Sequence, residues 1–321
     1  MGEILFCTAA AMVGAGFASG REIMRFFSCH GAFSWVLVIF AACVTALMVW
    51  CMLSRRIEYS AISKGTLSLF YLAVGGGMTA AAGELWALTV PLPYARIAGS
   101  AVTLAVCLRL AGRSLQGMAR LGKALLPLLL TVLALCLRVP ASPPREEHMA
   151  WQEKAQAIIS AAGYCGINGM TAAGILCGSW PKKDRFRISI GIGLLTAALL
   201  GLGNAALLPH AEMLQDAPLP TVILLRAYGK PGYYLAAATL YLAASTTLIA
   251  VLRGLLAFTA QYPSGRTSPL IGLVVLAVSL LGFQDIVGAA YPVLGGAYLI
   301  LLLIPGKAKK QSPEHSVQRS D

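Results

Sequence analysis

Residues 31–53 contain no charged side chain. At a rise of 1.5 Å per residue, a helix over such a stretch crosses the roughly 30 Å hydrocarbon core of a bilayer. Lipid offers no partner for backbone N–H and C=O groups, so a single segment crosses it only as a helix. Nine further stretches, near 3–30, 66–90, 95–111, 117–138, 151–178, 188–209, 233–256, 268–283 and 286–305, are bordered by charged clusters or Pro/Gly breaks. The pattern predicts an all-α polytopic membrane protein of about ten transmembrane helices. Composition agrees, with 12% charged residues against about 25% in soluble proteins. A surface that poor in charge excludes a cytosolic enzyme. The eight cysteines form no C-x-x-C pair and read as small apolar packers. Glu3 stands where a signal peptide would carry basic residues, so the first stretch is expected to be a membrane segment.

The loops orient the map. Residues 140–147 (PASPPREE) form a proline-rich divide. They suggest two five-helix units, 1–139 and 151–305, joined by an outer loop over 140–150. A polar tail, 306–321, is expected to be disordered and cytoplasmic. The stretch 220–231 is too short and punctuated to span, and reads as an outer interfacial helix. With the N-terminus inside, 17 of the 25 basic residues fall in inner loops, in clusters such as Arg55/Arg56/Lys64 and Lys182/Lys183/Arg185/Arg187. That bias predicts a multi-pass protein of the cell membrane with both termini cytoplasmic. The net charge of +12 is then a topology signal, and no nucleic-acid partner is expected.

Two glycine clusters open the two units. Val13-Gly14-Ala15-Gly16-Phe17-Ala18-Ser19-Gly20 lies in the first segment, and Gly163-Tyr164-Cys165-Gly166-Ile167-Asn168-Gly169 in the sixth. Each glycine weakens a helix by about 1 kcal/mol against alanine, so both segments are expected to be interrupted. An open helix at membrane depth is tolerated beside a protein-lined cavity, where freed carbonyls hold a cation and half-helix N-termini hold an anionic group. Matched interruptions in two halves point to a transporter site. Gly16 and Gly20 also form a G-x-x-x-G, which by itself marks close helix packing.

VGAGFASGREIMRFF resembles the opening helix of the YkvI-type bacterial membrane proteins, of the amino acid–polyamine–organocation (APC) transporter superfamily. That resemblance implies a LeuT-like 5+5 inverted repeat with interrupted first and sixth helices. It implies transport of an amino-acid-like small molecule with Na⁺ or H⁺ as the coupling ion, and no other cofactor. It further implies a Na⁺ site made of the carbonyls of Ala10, Val13 and Ala243 and the hydroxyls of Thr246 and Thr247, which fit the A-x-x-T-[S/T] pattern of the eighth helix. Back-bonding of the two threonines to their own helix is the structural alternative. The expected substrate site comprises Gly14, Ala15, Gly16, Phe17, Ala18 and Ser19 with Glu84, Tyr164, Gly166 and Asn168.

Ionisable groups at membrane depth are costly and mark function by default. Glu84 in the third segment is the clearest case: a ligand for a substrate ammonium, a proton carrier, or the partner of a basic residue near the outer end. Glu22 and Arg25 have the i,i+3 spacing of a surface pair. Asn204 reads as interhelical glue, while His210 and Glu212 are expected to be solvated. With four histidines, no H-E-x-x-H and no G-x-S-x-G, nothing indicates an enzyme. The expected function is an ion-coupled secondary transporter working by alternating access. A non-transporting amino-acid sensor of the germinant-receptor B-subunit type is the alternative on the same fold.

Overall fold

The computed structural model describes residues 5, 8, 12–54, 61–112, 115–141, 149–176, 182–217, 219–259, 264–286 and 291–303. Ala10 and residues 142–148 and 306–321 lie outside the described residues. The protein is all-helical, and no strand occurs among the described residues. In chain order the helices are α1 (Ala15–Ala18), α2 (Arg21–Phe26), α3 (Ser34–Ser54), α4 (Ala61–Thr89), α5 (Ala95–Ala111), α6 (Leu115–Cys136) and α7 (Trp151–Leu176). They continue with α8 (Lys182–Leu207), α9 (Ala211–Leu214), α10 (Pro220–Leu225), α11 (Gly229–Phe258), α12 (Ser264–Ser279), α13 (Phe283–Asp285) and α14 (Tyr291–Leu303). Among the described residues, four helical stretches, Ser28–Ser54, Gly65–Thr89, Asp184–Leu214 and Pro220–Phe258, are long and apolar enough to cross a membrane.

Contacts run both between and within the two halves of the chain: α3 lies along α8, α4 along α11 and α12 against α4, while α7 packs along α14. α4 and α11 form the centre, each also packed on α5. Polar side chains join these apolar surfaces at a few points. The Asn204 amide donates to the Ser34 hydroxyl at 2.8 Å and accepts from Ser28 at 2.9 Å. It thereby ties α8 to the start of α3, the interhelical role expected of it. Ser100 donates to the Thr79 carbonyl at 3.0 Å, joining α5 to α4.

The sixth segment departs from expectation. α7 runs unbroken from Trp151 to Leu176, through all three of the glycines read as a break. Close packing explains them. A Cβ on Gly166 would fall on the carbonyl of Gly295 in α14, and one on Gly295 would fall on the Gly163 carbonyl. Gly169 admits the methyl end of Met48 from α3. These glycines trade helix propensity for backbone contact between helices, which in an apolar medium rests on van der Waals fit.

Candidate functional site

The first segment does open, and it opens twice. Val13 leaves the helix and Gly14 is extended, at φ −79° and ψ −177°. One turn re-forms over α1, and Gly20 then takes φ +80°, a left-handed conformation that costs glycine little. The second opening frees the carbonyls of Ala18 and Ser19. Both are met by α10: the Thr221 hydroxyl donates to Ala18 O and its amide to Ser19 O, each at 2.9 Å. Arg21 reaches from α2 to the carbonyls of Gln215 and Ala217 in the segment leading to α10. The Ser19 hydroxyl donates to the Gly16 carbonyl at 3.0 Å. α10, read from sequence as an interfacial helix, is thus a staple across the second opening.

Thr221→Val keeps the side-chain shape and removes the donor to Ala18. The carbonyl is then left buried without that partner, and the protein should lose about 1–3 kcal/mol. Thermal unfolding in detergent, with amide exchange followed over residues 15–20, measures this. Unchanged values in both would remove the staple from the account.

A narrow cleft lies beside the first opening. Met12, Val13 and Phe17 form one wall, Tyr164 and Asn168 of α7 another, and Thr196 among leucines of α8 the third. Its volume is about 20 Å³, room for about one water molecule. The Asn168 amide donates to the Tyr164 carbonyl one turn earlier at 3.1 Å, inside α7. The Tyr164 ring packs on Phe26 at 5.4 Å and edge-on against Phe27 at 5.2 Å. An amino-acid-sized molecule enters this cleft only if the first segment moves away from α7 and α8.

On the opposite side, α11 packs against α1. Gly14 faces Thr247: a Cβ at Gly14 would lie 3.4 Å from Thr247 Oγ1 and 3.7 Å from the Met78 sulfur. Ala243, Thr246 and Thr247 are buried. The Thr246 hydroxyl donates to the Ala243 carbonyl at 2.9 Å, the back-bond that was the structural alternative for this residue. Thr247 is the member that meets the first opening. Its hydroxyl, with the extended backbone at Val13–Gly14, is hard-oxygen chemistry of the kind an alkali cation takes. Ala10 lies outside the described residues.

The expected site residues therefore divide. Val13, Phe17, Tyr164 and Asn168 come together around the cleft. Gly14 faces Thr247, and the Ala15 amide donates to the Met78 sulfur at 3.4 Å. Ala18 and Ser19 bond α10, and Gly166 turns to Gly295. Glu84 takes no part in the cleft; it pairs with Arg96 of α5 at 3.2 Å, with side chains 30% and 52% exposed. Of its three sequence readings, the partner of a basic residue is the one observed, and an ion pair so exposed contributes little stability.

Two other expectations are corrected. Glu22 is no surface residue: it is 5% exposed, and its carboxylate lies against Gly16. Burial comes from α1 and α7, which a one-turn spacing along α2 does not reveal. His210 is only 7% exposed, because the turn Leu208–His210 packs against the turn Ser28–Phe33. With Arg25, Ser28, His30, Glu153 and Glu212 it lines a polar vestibule of about 880 Å³. Thr221, Met78 and Thr196 are contributors that the sequence pattern did not mark.

No model of a known protein family matches the chain, and no curated protein aligns with it significantly.

Proposed function

We propose that this protein is an ion-coupled secondary transporter of a small amino-acid-like substrate, built as a LeuT-like 5+5 inverted repeat of ten membrane helices in the cell membrane. The observation that carries the proposal is the double opening of the first segment inside a helical bundle, against α7 on one side and the Thr247 hydroxyl on the other. Opened backbone at membrane depth is costly unless it faces protein or a cavity, and discontinuous helices are where transporters bind their cargo. The packing of α3 with α8 and of α4 with α11, across the two halves of the chain, supports this reading.

In this reading, Phe17 and Tyr164 wall the substrate's side chain, and Asn168 meets its polar end. Thr247 and the backbone at Val13 hold the coupling cation. The narrow cleft is a closed state, and substrate entry requires the first segment to rock away from α7 and α8. The vestibule lined by Arg25 and His210 is the aqueous approach. The continuous α7 means that the second half contributes side chains rather than opened backbone.

Uptake of labelled amino acids into proteoliposomes, with inward Na⁺ or H⁺ gradients applied separately, tests the proposal. Thr247→Ala should raise the Na⁺ concentration for half-maximal uptake about tenfold, the scale of one lost oxygen contact. Amino-acid binding detected by thermal shift, with no uptake under either gradient, would replace transport by sensing. Sodium-driven uptake indifferent to Thr247→Ala would remove the ion site.

A further inference from the structure

Glu22 is a buried carboxylate that the reading above leaves unused. It sits on α2 directly after the second opening, and its carboxylate packs on the backbone of Gly16. It is 5% exposed, and among the described residues it has neither a hydrogen bond nor an ion pair. Its charged neighbours are engaged or turned elsewhere. Arg21 is bonded to the Gln215 and Ala217 carbonyls, and Arg25 is exposed toward the vestibule. On α7, Tyr164 is the neighbouring ionisable group, while Cys165 turns to the Ala41 carbonyl at 3.6 Å. α1 carries no ionisable side chain, and α8 near Gly203, where Ile23 packs, offers only Asn204. His30, His210, Glu153 and Glu212 stay in the vestibule.

A carboxylate withdrawn from water without a partner is strongly disfavoured as an anion. Three kinds of cation could neutralise it. An alkali ion needs several oxygen ligands and an ammonium needs several acceptors, and each needs space beside the carboxylate. Among the described residues, Glu22 lines neither the cleft nor the vestibule. Among the same residues, its carboxylate lies against the backbone of Gly16, which offers no set of oxygen ligands. A proton needs no volume. Water for its delivery is close, because the vestibule is lined by Arg25, one turn after Glu22, and by Ser160, one turn before Tyr164.

We propose that Glu22 is an exchangeable proton site, closed over Gly16 in this conformation and opened to vestibule water when α1 and α2 move. On loading, a carboxylate oxygen takes one proton from vestibule water. On opening, the acid returns it to water, and no other bond changes. The site's use in coupling rests on the transporter reading; its protonation does not.

The test uses the full chain in lipid nanodiscs and infrared difference spectra across neutral pH. The wild type should display the carbonyl stretch of a protonated carboxylic acid. Glu22→Gln should abolish the band, Glu22→Asp should shift it, and Glu84→Gln should leave it in place. If Glu22→Gln does not fold, the Asp shift alone decides. A band that neither substitution at Glu22 alters, or no such band in the wild type, overturns the proposal. Loss of the band at fixed pH on adding NaCl or methylammonium chloride also overturns it, in favour of that cation. Amino-acid uptake without the band would leave the transporter reading standing and remove Glu22. The band without uptake would leave the proton site standing and remove the transporter.

Discussion

Gly166→Ala should destabilise the protein by up to about 2 kcal/mol, whereas Gly296→Ala should not. A Cβ at Gly166 would fall on the Gly295 carbonyl, its carbon and its Cα, all backbone. No rotamer change relieves that contact, so α7 and α14 must separate. Overpacking of this kind costs about 1–3 kcal/mol, offset in part by the roughly 1 kcal/mol that alanine gains in helix propensity. Gly295→Ala should behave alike, because its Cβ would meet the Gly163 carbonyl. Gly296 has nothing within 4 Å of a Cβ, so alanine there gains propensity without a collision. Heat unfolding of the three variants in one detergent separates the cases. Equal unfolding temperatures for Gly166→Ala and wild type would mean that α7 and α14 are not in backbone contact, and would reopen the interrupted-helix reading of residues 163–169.

Gly20→Ala should be comparably severe, for two reasons that add. The residue adopts φ +80°, where an L side chain costs about 1–2 kcal/mol. Its Cβ would also lie 2.8 Å from Leu207 Cδ1, 3.2 Å from Thr221 Cγ2 and 3.3 Å from Pro220 Cβ. Leu207 is fully buried and Pro220 is rigid, so the crowding falls on the staple between α10 and the first segment. The expected result is a lower unfolding temperature together with faster amide exchange at Thr221, whose N–H bonds the Ser19 carbonyl. A loss of stability without a change at Thr221 would assign the cost to backbone strain alone. No loss of either kind would contradict the left-handed turn.

Gly20 and Gly166 also explain how far the sequence could be read. Both sit in triads of glycines of the same density, and propensity treats them alike. The first triad opens the helix because α10 supplies donors for the freed carbonyls, Thr221 to Ala18 and Ser19. The other stays helical because α14 supplies a backbone to pack on. Neither partner is near in sequence. Glu22 follows the same logic. Its spacing to Arg25 is that of a surface pair, and only the approach of Gly16 and Tyr164 makes it a buried acid. Glu84, conspicuous as a carboxylate in an apolar run, was resolved by Arg96, which lies twelve residues away across the α4–α5 turn.

The sequence by itself determined where several of the helices form. Apolar runs bounded by proline, glycine and charge set α3, α5 and α11 within a few residues of their observed ends, because backbone satisfaction and side-chain hydrophobicity act locally. It also determined that the chain is charge-poor enough to need an apolar surrounding, and that Asn204 would join helices. Tertiary structure alone decided which glycine cluster breaks, which carboxylate is buried, and which threonine meets the first opening. Those outcomes depend on whether a distant segment brings a hydrogen-bond donor, a carbonyl or a charge to the residue. Such encounters are fixed by packing between helices and leave no period or spacing in the chain.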